Sequence, residues 1–227
     1  MNIAVRQNPA DYSIRQMTRT QTSTGDHQIS WNFNRATHFL MVIHPAKTVC
    51  DLEEDIVPWL EENGKELLEK RRVSQDGVLW IAVQEREFRA KKNKYILPRT
   101  SITAGIPYRI VVYPCQIQDE EWDVYTVQGD ANVQVIPVPI LVEVDYKRSL
   151  FAKNQQCRFR AKFDVNRLEG VLKYKPSCSR CQFPVSVESM KASRDGWLSV
   201  WLPKGEELNI MVAPEYKEYY NIKIAED

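Results

Sequence analysis

Cys178-Ser-Arg-Cys181, flanked by Pro176 and Pro184, sets two thiols at a spacing from which both can reach one tetrahedral metal ion. A zinc site needs two more ligands. No second such pair exists and no histidine follows residue 44, so Cys157 is the one further thiol within sequence reach. Zinc, a redox pair and plain reduced thiols all fit, and reduced thiols need the fewest additional residues. His27, His38 and His44 are the only histidines. On one extended strand, His38 and His44 would stand about 20 Å apart, too far to share an ion. Metal and cofactor sites are therefore not expected. The eight glycines, at 25, 64, 77, 105, 129, 170, 196 and 205, never fall close together. That spacing excludes the phosphate-binding glycine loops and the glycine-flanked nucleophile elbow, which need two glycines within a few residues. No local serine or cysteine motif marks a nucleophile, and the carboxylates of Glu53-Glu-Asp55 and Asp119-Glu-Glu121 read as solvated charges. Enzymatic activity is not expected.

The most pronounced surface pattern is cationic. Cys157, Phe159, Ala161 and Phe163 alternate with Arg158, Arg160 and Lys162, which gives a strand one apolar and one basic face. If the chain turns at Asn166, a returning strand sets Leu172 and Tyr174 inward and Lys173 and Lys175 outward, with Arg160 facing Lys173 and Arg158 facing Lys175. Like charges so placed cost about 0.2–1 kcal/mol a pair, which an acidic partner would offset. Glu143 and Asp145, alternating with Val142 and Val144 on a neighbouring strand, would offset it internally. Arg158, Arg160, Lys162, Lys173 and Lys175 are thus the candidate partner-binding residues. A second basic stretch, Arg86 to Lys94, reads as an exposed hairpin tip. Neither stretch has the interleaved aromatics that single-stranded nucleic acid requires. Trp80, Trp122, Trp197 and Trp201 are candidate sugar-stacking platforms. Trp197 and Trp201 share strand parity: exposed they favour carbohydrate, buried they are core, and core is the expectation for both.

Around these residues the elements are mostly strands. Residues 1–25 form a polar segment, ordered only if it lies along a sheet or against another chain. Ile29 to Phe33 alternates, and 37–43 is an almost continuous apolar run; these are two strands joined at Asn34-Arg35. Leu52, Ile56, Leu60, Leu67 and Leu68 recur at helical spacing and predict a helix over about 51–72. Asp51 would cap it, with Glu54 closing a reciprocal cap. Pro58 demands a kink or a second helix start. The stripe predicts a helix at a sheet edge or at the domain junction. Strands are predicted at 78–83, 95–97, 108–113 and 123–127, then at seven short segments after residue 137. That density is the signature of β-sandwiches. Ile136-Pro-Val-Pro139 reads as a stiff joint.

Ile29-Ser-Trp31 with the 37–43 run resembles the second and third strands of a fibronectin type III domain. Ile102, Gly105 and Tyr108, spaced by threes and leading into Ile110 and Val112, resemble its tyrosine corner. The resemblance covers about residues 26–135, with the helix as an insertion. Leu202, Gly205 and Leu208 repeat the spacing more weakly in the second half. The implied fold class is mainly β: two tandem immunoglobulin-like β-sandwich domains, the first with a helical insertion. The expected divisions are 1–25, 26–137 and 138–227.

A net charge of +1, from 31 basic and 30 acidic residues, carries no overall attraction to nucleic acid or acidic membranes. Five cysteines without framework spacing, and no apolar stretch long enough to span a bilayer, point to a cytoplasmic chain. The functional expectation is a non-enzymatic interaction or adaptor module whose partner is another protein, an acidic surface on it being what the basic strand would fit. The alternative is a carbohydrate-binding module or glycan-active accessory protein.

Overall fold

A strand covered on both faces has no polar side to show, and Phe39–Ile43 is such a strand: every residue is buried. It lies in β4 (His38–Pro45), at the centre of the first of two structural units, Met1–Ile136 and Pro137–Asp227. The computed structural model describes residues 2–7, 12–48, 50–84, 92–119, 121–147 and 153–225. Residues 86–91 of the basic stretch Arg86 to Lys94 lie outside the described residues.

In the first unit, β2 (Ile14–Gln21), β3 (His27–Phe33) and β7 (Lys92–Leu97) form one sheet. The other sheet runs β1 (Ile3–Arg6), β9 (Glu121–Tyr125), β8 (Tyr108–Gln118), β4, β6 (Val78–Gln84) and β5 (Arg72–Gln75). A short β10 (Val133–Ile136) pairs with the first half of β8, while β9 pairs with its end. Asn132, buried between β9 and β10, donates from its side chain to the Val112 carbonyl at 3.1 Å and spans the gap. The inward residues Ile29, Trp31 and Phe33 meet Phe39, Met41, Ile43, Ile81 and Ile110 in one core. Strands adjacent in sequence thus change sheet after Phe33, in the manner of an immunoglobulin-like sandwich.

Tyr108 opens β8, and its hydroxyl accepts from the Thr103 backbone N–H at 3.2 Å. This is the corner bond that the Ile102, Gly105, Tyr108 spacing predicts. The fold of this unit is a fibronectin type III-like β-sandwich.

Residues 1–25 contribute two strands rather than a separate segment. Ile14 and Met17 enter the core, β2 pairs with β3, and β1 runs parallel to β9 with Ile3 opposite Trp122. The insertion begins with a π-helical turn, Leu52–Ile56, and continues as α1 (Val57–Lys70) with Pro58 in its first turn. Asp51 caps it, its carboxylate accepting from Glu53 and Glu54 N–H. The reciprocal bond comes from Asp55, which accepts from Asp51 N–H at 2.7 Å, and not from the expected Glu54. The wider π turn moves the matching position one residue along the chain.

Ile56, Leu60 and Leu67 are fully buried against Leu40, Val42, Trp80 and Trp122. The helix therefore covers the outer face of the larger sheet, not its edge, because that face is apolar along β4, β6 and β9. Trp59 stacks on Trp80 with ring centres 3.9 Å apart, and its indole N–H donates to Gln75 at 2.8 Å.

The second unit repeats the sandwich. One sheet runs β15 (Leu198–Pro203), β12 (Asn154–Lys162), β11 (Val138–Lys147), β17 (Tyr220–Ile224), with β11 and β17 parallel. The other runs β14 (Phe183–Pro184), β13 (Leu172–Pro176), β16 (Leu208–Val212). Counting β2, β3, β4, β6, β7, β8 in the first unit and β11 to β16 in the second, both place the first, second and fifth strands in one sheet and the third, fourth and sixth in the other; the last strand differs, β10 pairing with β8 and β17 with β11. Val142, Phe159, Leu172, Leu202 and Leu208 share the core. β14 stops at Pro184; Ser186 caps α2 (Val187–Ala192) by accepting from Ser189 N–H, and Met190 is buried.

Leu208 occupies the position that Tyr108 holds in the first unit. A leucine has no hydroxyl to offer, and Tyr146 of β11 supplies one, accepting from Leu208 N–H at 2.9 Å.

Candidate functional site

The residues of interest lie on the outer face of the four-stranded sheet of the second unit. In β12, Cys157, Phe159 and Ala161 are buried and Arg158, Arg160 and Lys162 point outward, as the alternation predicts. The expected hairpin partner is different, however. β12 pairs with β11 and β15, whereas β13 pairs with β14 and β16 in the opposite sheet. The segment between β12 and β13 makes a short 3-10 turn at Val165–Arg167, capped by Asp164, and buries Leu168 and Val171. A connection that fills the core crosses between sheets instead of folding back as a hairpin. Lys173 and Lys175 therefore sit on the outer side of the other sheet, and the five predicted residues do not form one patch.

Arg158, Arg160 and Lys162 remain together, and each has an acidic neighbour on β11. Arg158 Nε lies 2.7 Å from Asp145, its register partner. Arg160 and Lys162 both bind Glu143. Hydrogen bonds from Lys162 and Arg160 hold the Glu143 carboxyl below its usual pKa. Three cations thus face two carboxylates, which is the internal neutralisation weighed against an acidic partner.

Sequence reasoning placed the aromatic part of this face in the core. Trp197 lies just before β15, with the Arg158 and Arg160 guanidinium carbons 4.5 and 4.9 Å from its ring centre. Trp201 is opposite Gln156 and is 67% exposed. The expectation that both are core is wrong: Leu198, Val200 and Leu202 take the inward positions of β15, leaving Trp197, Ser199 and Trp201 outward. The signal was present in that strand, since Trp197 and Trp201 share parity with Ser199. Trp80 and Trp122, by contrast, are buried. β15 is also an edge strand, with β12 as its single neighbour among the described residues.

The other candidates do not converge. Cys178 and Cys181 are exposed in the loop after β13. The Cys178 thiol donates to Glu206 at 2.7 Å, and that bond raises its pKa. Cys157 points into the core, where burial pushes its thiol up to about 11. Among the described residues no three His, Cys, Asp or Glu side chains are grouped to hold a metal. His27, His38 and His44 all have lowered pKa values, chiefly through burial. No helix among the described residues is long and apolar enough to cross a membrane.

No protein-family model matches the chain, and no curated protein matches it. Among solved structures it is similar to the central fibronectin-III array of RIM-binding protein, at 8% identity and a TM-score of 0.29, over 91% of this chain and 60% of that one. It is also similar to red sea bream transglutaminase, at 14% identity and a TM-score of 0.28, over 94% of this chain and 30% of that one. The chain thus spans less than two thirds of either structure.

Proposed function

We propose that the chain is a non-enzymatic interaction module that binds another protein through the outer face of the β15–β12–β11–β17 sheet, centred on Trp201. The exposed indole of Trp201 carries this reading. Trp201 stands opposite Gln156, and on the same face Trp197 is flanked by Arg158 and Arg160; exposed aromatic rings with arginines and neutral polar groups are the composition of an interface centre. The edge position of β15 supports a protein partner, because an extended segment can add to its free backbone groups. Arg158 and Arg160 act here by flanking Trp197 and holding it against the sheet. Their charges are met by Asp145 and Glu143, so binding depends on the aromatic surface more than on an acidic partner. Lys162 belongs to the same face; Lys173 and Lys175 do not contribute to it.

The test compares Trp201→Ala with an Arg158→Gln, Arg160→Gln double variant for folding stability and for retention of partners from cell extract at low and high salt. Loss of partners in Trp201→Ala at both salts, with folding intact, is the expected result. Partners lost only from the arginine variant, and only at low salt, would return the contact to the cations. A second reading, carbohydrate binding, is favoured by the same exposed ring, which is a stacking platform. Trp201-dependent binding on a glycan array, without protein partners, would establish it in place of the first.

A further inference from the structure

A second feature lies in the first unit, on the outer side of the β2–β3–β7 sheet. Register pairs Arg15 with Asn32 and Asn32 with Lys92, so three residues form one row across three strands. With strands about 4.8 Å apart, the two cations flank the amide at roughly 10 Å from each other. Unlike Arg158, Arg160 and Lys162, neither Arg15 nor Lys92 has a carboxylate within ion-pair distance among the described residues. The row opens on a cavity of about 540 Å³ lined by Ser13, Arg15, Gln16, Asn32, Phe33, Asn34 and Lys92, none of them acidic, among the described residues.

The backbone is distorted at this place. The pairing of β2 with β3 slips between Arg15 and Thr18, and Gln16 holds a φ of 51°, a left-handed conformation unusual for a side-chain-bearing residue. The bulge lets Met17 enter the core while Gln16 stays on the outer side, where Asn32 Nδ2 donates to Gln16 Oε1 at 2.8 Å. Bulges commonly serve to re-aim a side chain near a functional site. That hydrogen bond uses one end of each amide. The Gln16 Nε2 group and Asn32 Oδ1 have no protein partner among the described residues, and neither does the buried hydroxyl of Ser13.

We propose that this cavity binds a sugar phosphate. Arg15 and Lys92 supply the two positive charges that a phosphate monoester dianion needs. The Gln16 and Asn32 amides and the Ser13 hydroxyl offer donors and acceptors suited to a polyhydroxylated body. The cavity falls in the range of small-molecule sites, roughly 300–1,000 Å³, and a bare ion leaves most of it unfilled.

The experiment is isothermal titration calorimetry of the full chain with glucose 6-phosphate, ribose 5-phosphate, inorganic phosphate and glucose. At least one of the two esters binds with a Kd below 1 mM, inorganic phosphate binds at least tenfold more weakly, and glucose gives no heat. Arg15→Gln with Lys92→Gln weakens ester binding at least tenfold without moving the thermal midpoint; if that pair fails to fold, Lys92→Gln alone must still weaken it severalfold. Gln16→Gly, which suits the left-handed backbone, weakens the ester but not inorganic phosphate. No heat with either ester, or undiminished binding in the lysine or double variant, overturns the proposal. Equal affinity for ester and inorganic phosphate overturns it too, and marks an adventitious ion only.

Discussion

Tyr108 connects one hydroxyl to the folding of a whole unit. Its ring fills the corner of the first sandwich and its oxygen satisfies the Thr103 N–H. Tyr108→Phe keeps the ring but leaves that N–H without its acceptor, so we expect a loss of about 0.5–1.5 kcal/mol, read from the urea midpoint. An unchanged midpoint would show that the corner bond contributes nothing. Cys178 gives a second expectation at this scale. Its thiol is kept protonated by the hydrogen bond to Glu206 and by that group's negative charge. Glu206→Gln removes the charge, lowers the thiol pKa and raises the thiolate fraction near pH 8. Iodoacetamide should then alkylate Cys178 faster in the variant, as measured by peptide mapping; equal rates would contradict this.

Helix α1 closes the outer face of a sheet that would otherwise expose Leu40, Val42 and Trp80. Leu60 is fully buried in that contact. Leu60→Ala should cost about 2–5 kcal/mol, measured by denaturant unfolding. A cost near zero would mean that the helix is not packed on the sheet. The helix itself was legible from the spacing of Ile56, Leu60 and Leu67, but its location was misread as an edge. The evidence for a covered face lay in β4 and β6, whose unbroken apolar runs need burial on both sides. The cationic strand shows the complementary limit. Alternation correctly separated Arg158, Arg160 and Lys162 from the core, because side-chain parity is local. It could not say which strand lies next to β12, because that choice depends on where Leu168 and Val171 are buried. The aromatic centre of the candidate site was legible as a shared parity, and the exposure of Trp201 followed from Leu198, Val200 and Leu202 competing better for the interior. The Arg15–Asn32–Lys92 row was not legible, since it requires the register of three strands and a bulge.

At the scale of the molecule, two sandwiches share the division of their first six core strands but differ in where the last strand pairs, β10 with β8 and β17 with β11, and in how each corner is closed, by Tyr108 in one and by Tyr146 opposite Leu208 in the other. They differ also in pH response, because all three histidines belong to the first unit. Their folded pKa values lie below the unfolded value of about 6.5. The unfolded chain therefore takes up protons first, and stability falls as pH drops below that value. Glu143 and Asp26, with lowered carboxyl pKa values, add to the loss only at more acidic pH. The urea midpoint should decline from pH 7.5 to 5.5, and less steeply in a His27→Gln, His44→Gln variant; parallel slopes would rule out the histidines as the cause. The central functional claim is that the Trp201 face of the second unit, rather than the separated lysines of the opposite sheet, is what the chain presents to its partner. A photoreactive benzoylphenylalanine placed at position 199, beside Trp201 on the outward face of β15, at 173 or at 175 in otherwise unaltered chains, and irradiated in cells, tests this directly. The expected result is a discrete protein adduct from position 199 and none from 173 or 175. Adducts from 173 or 175 alone, or none from 199, would contradict it.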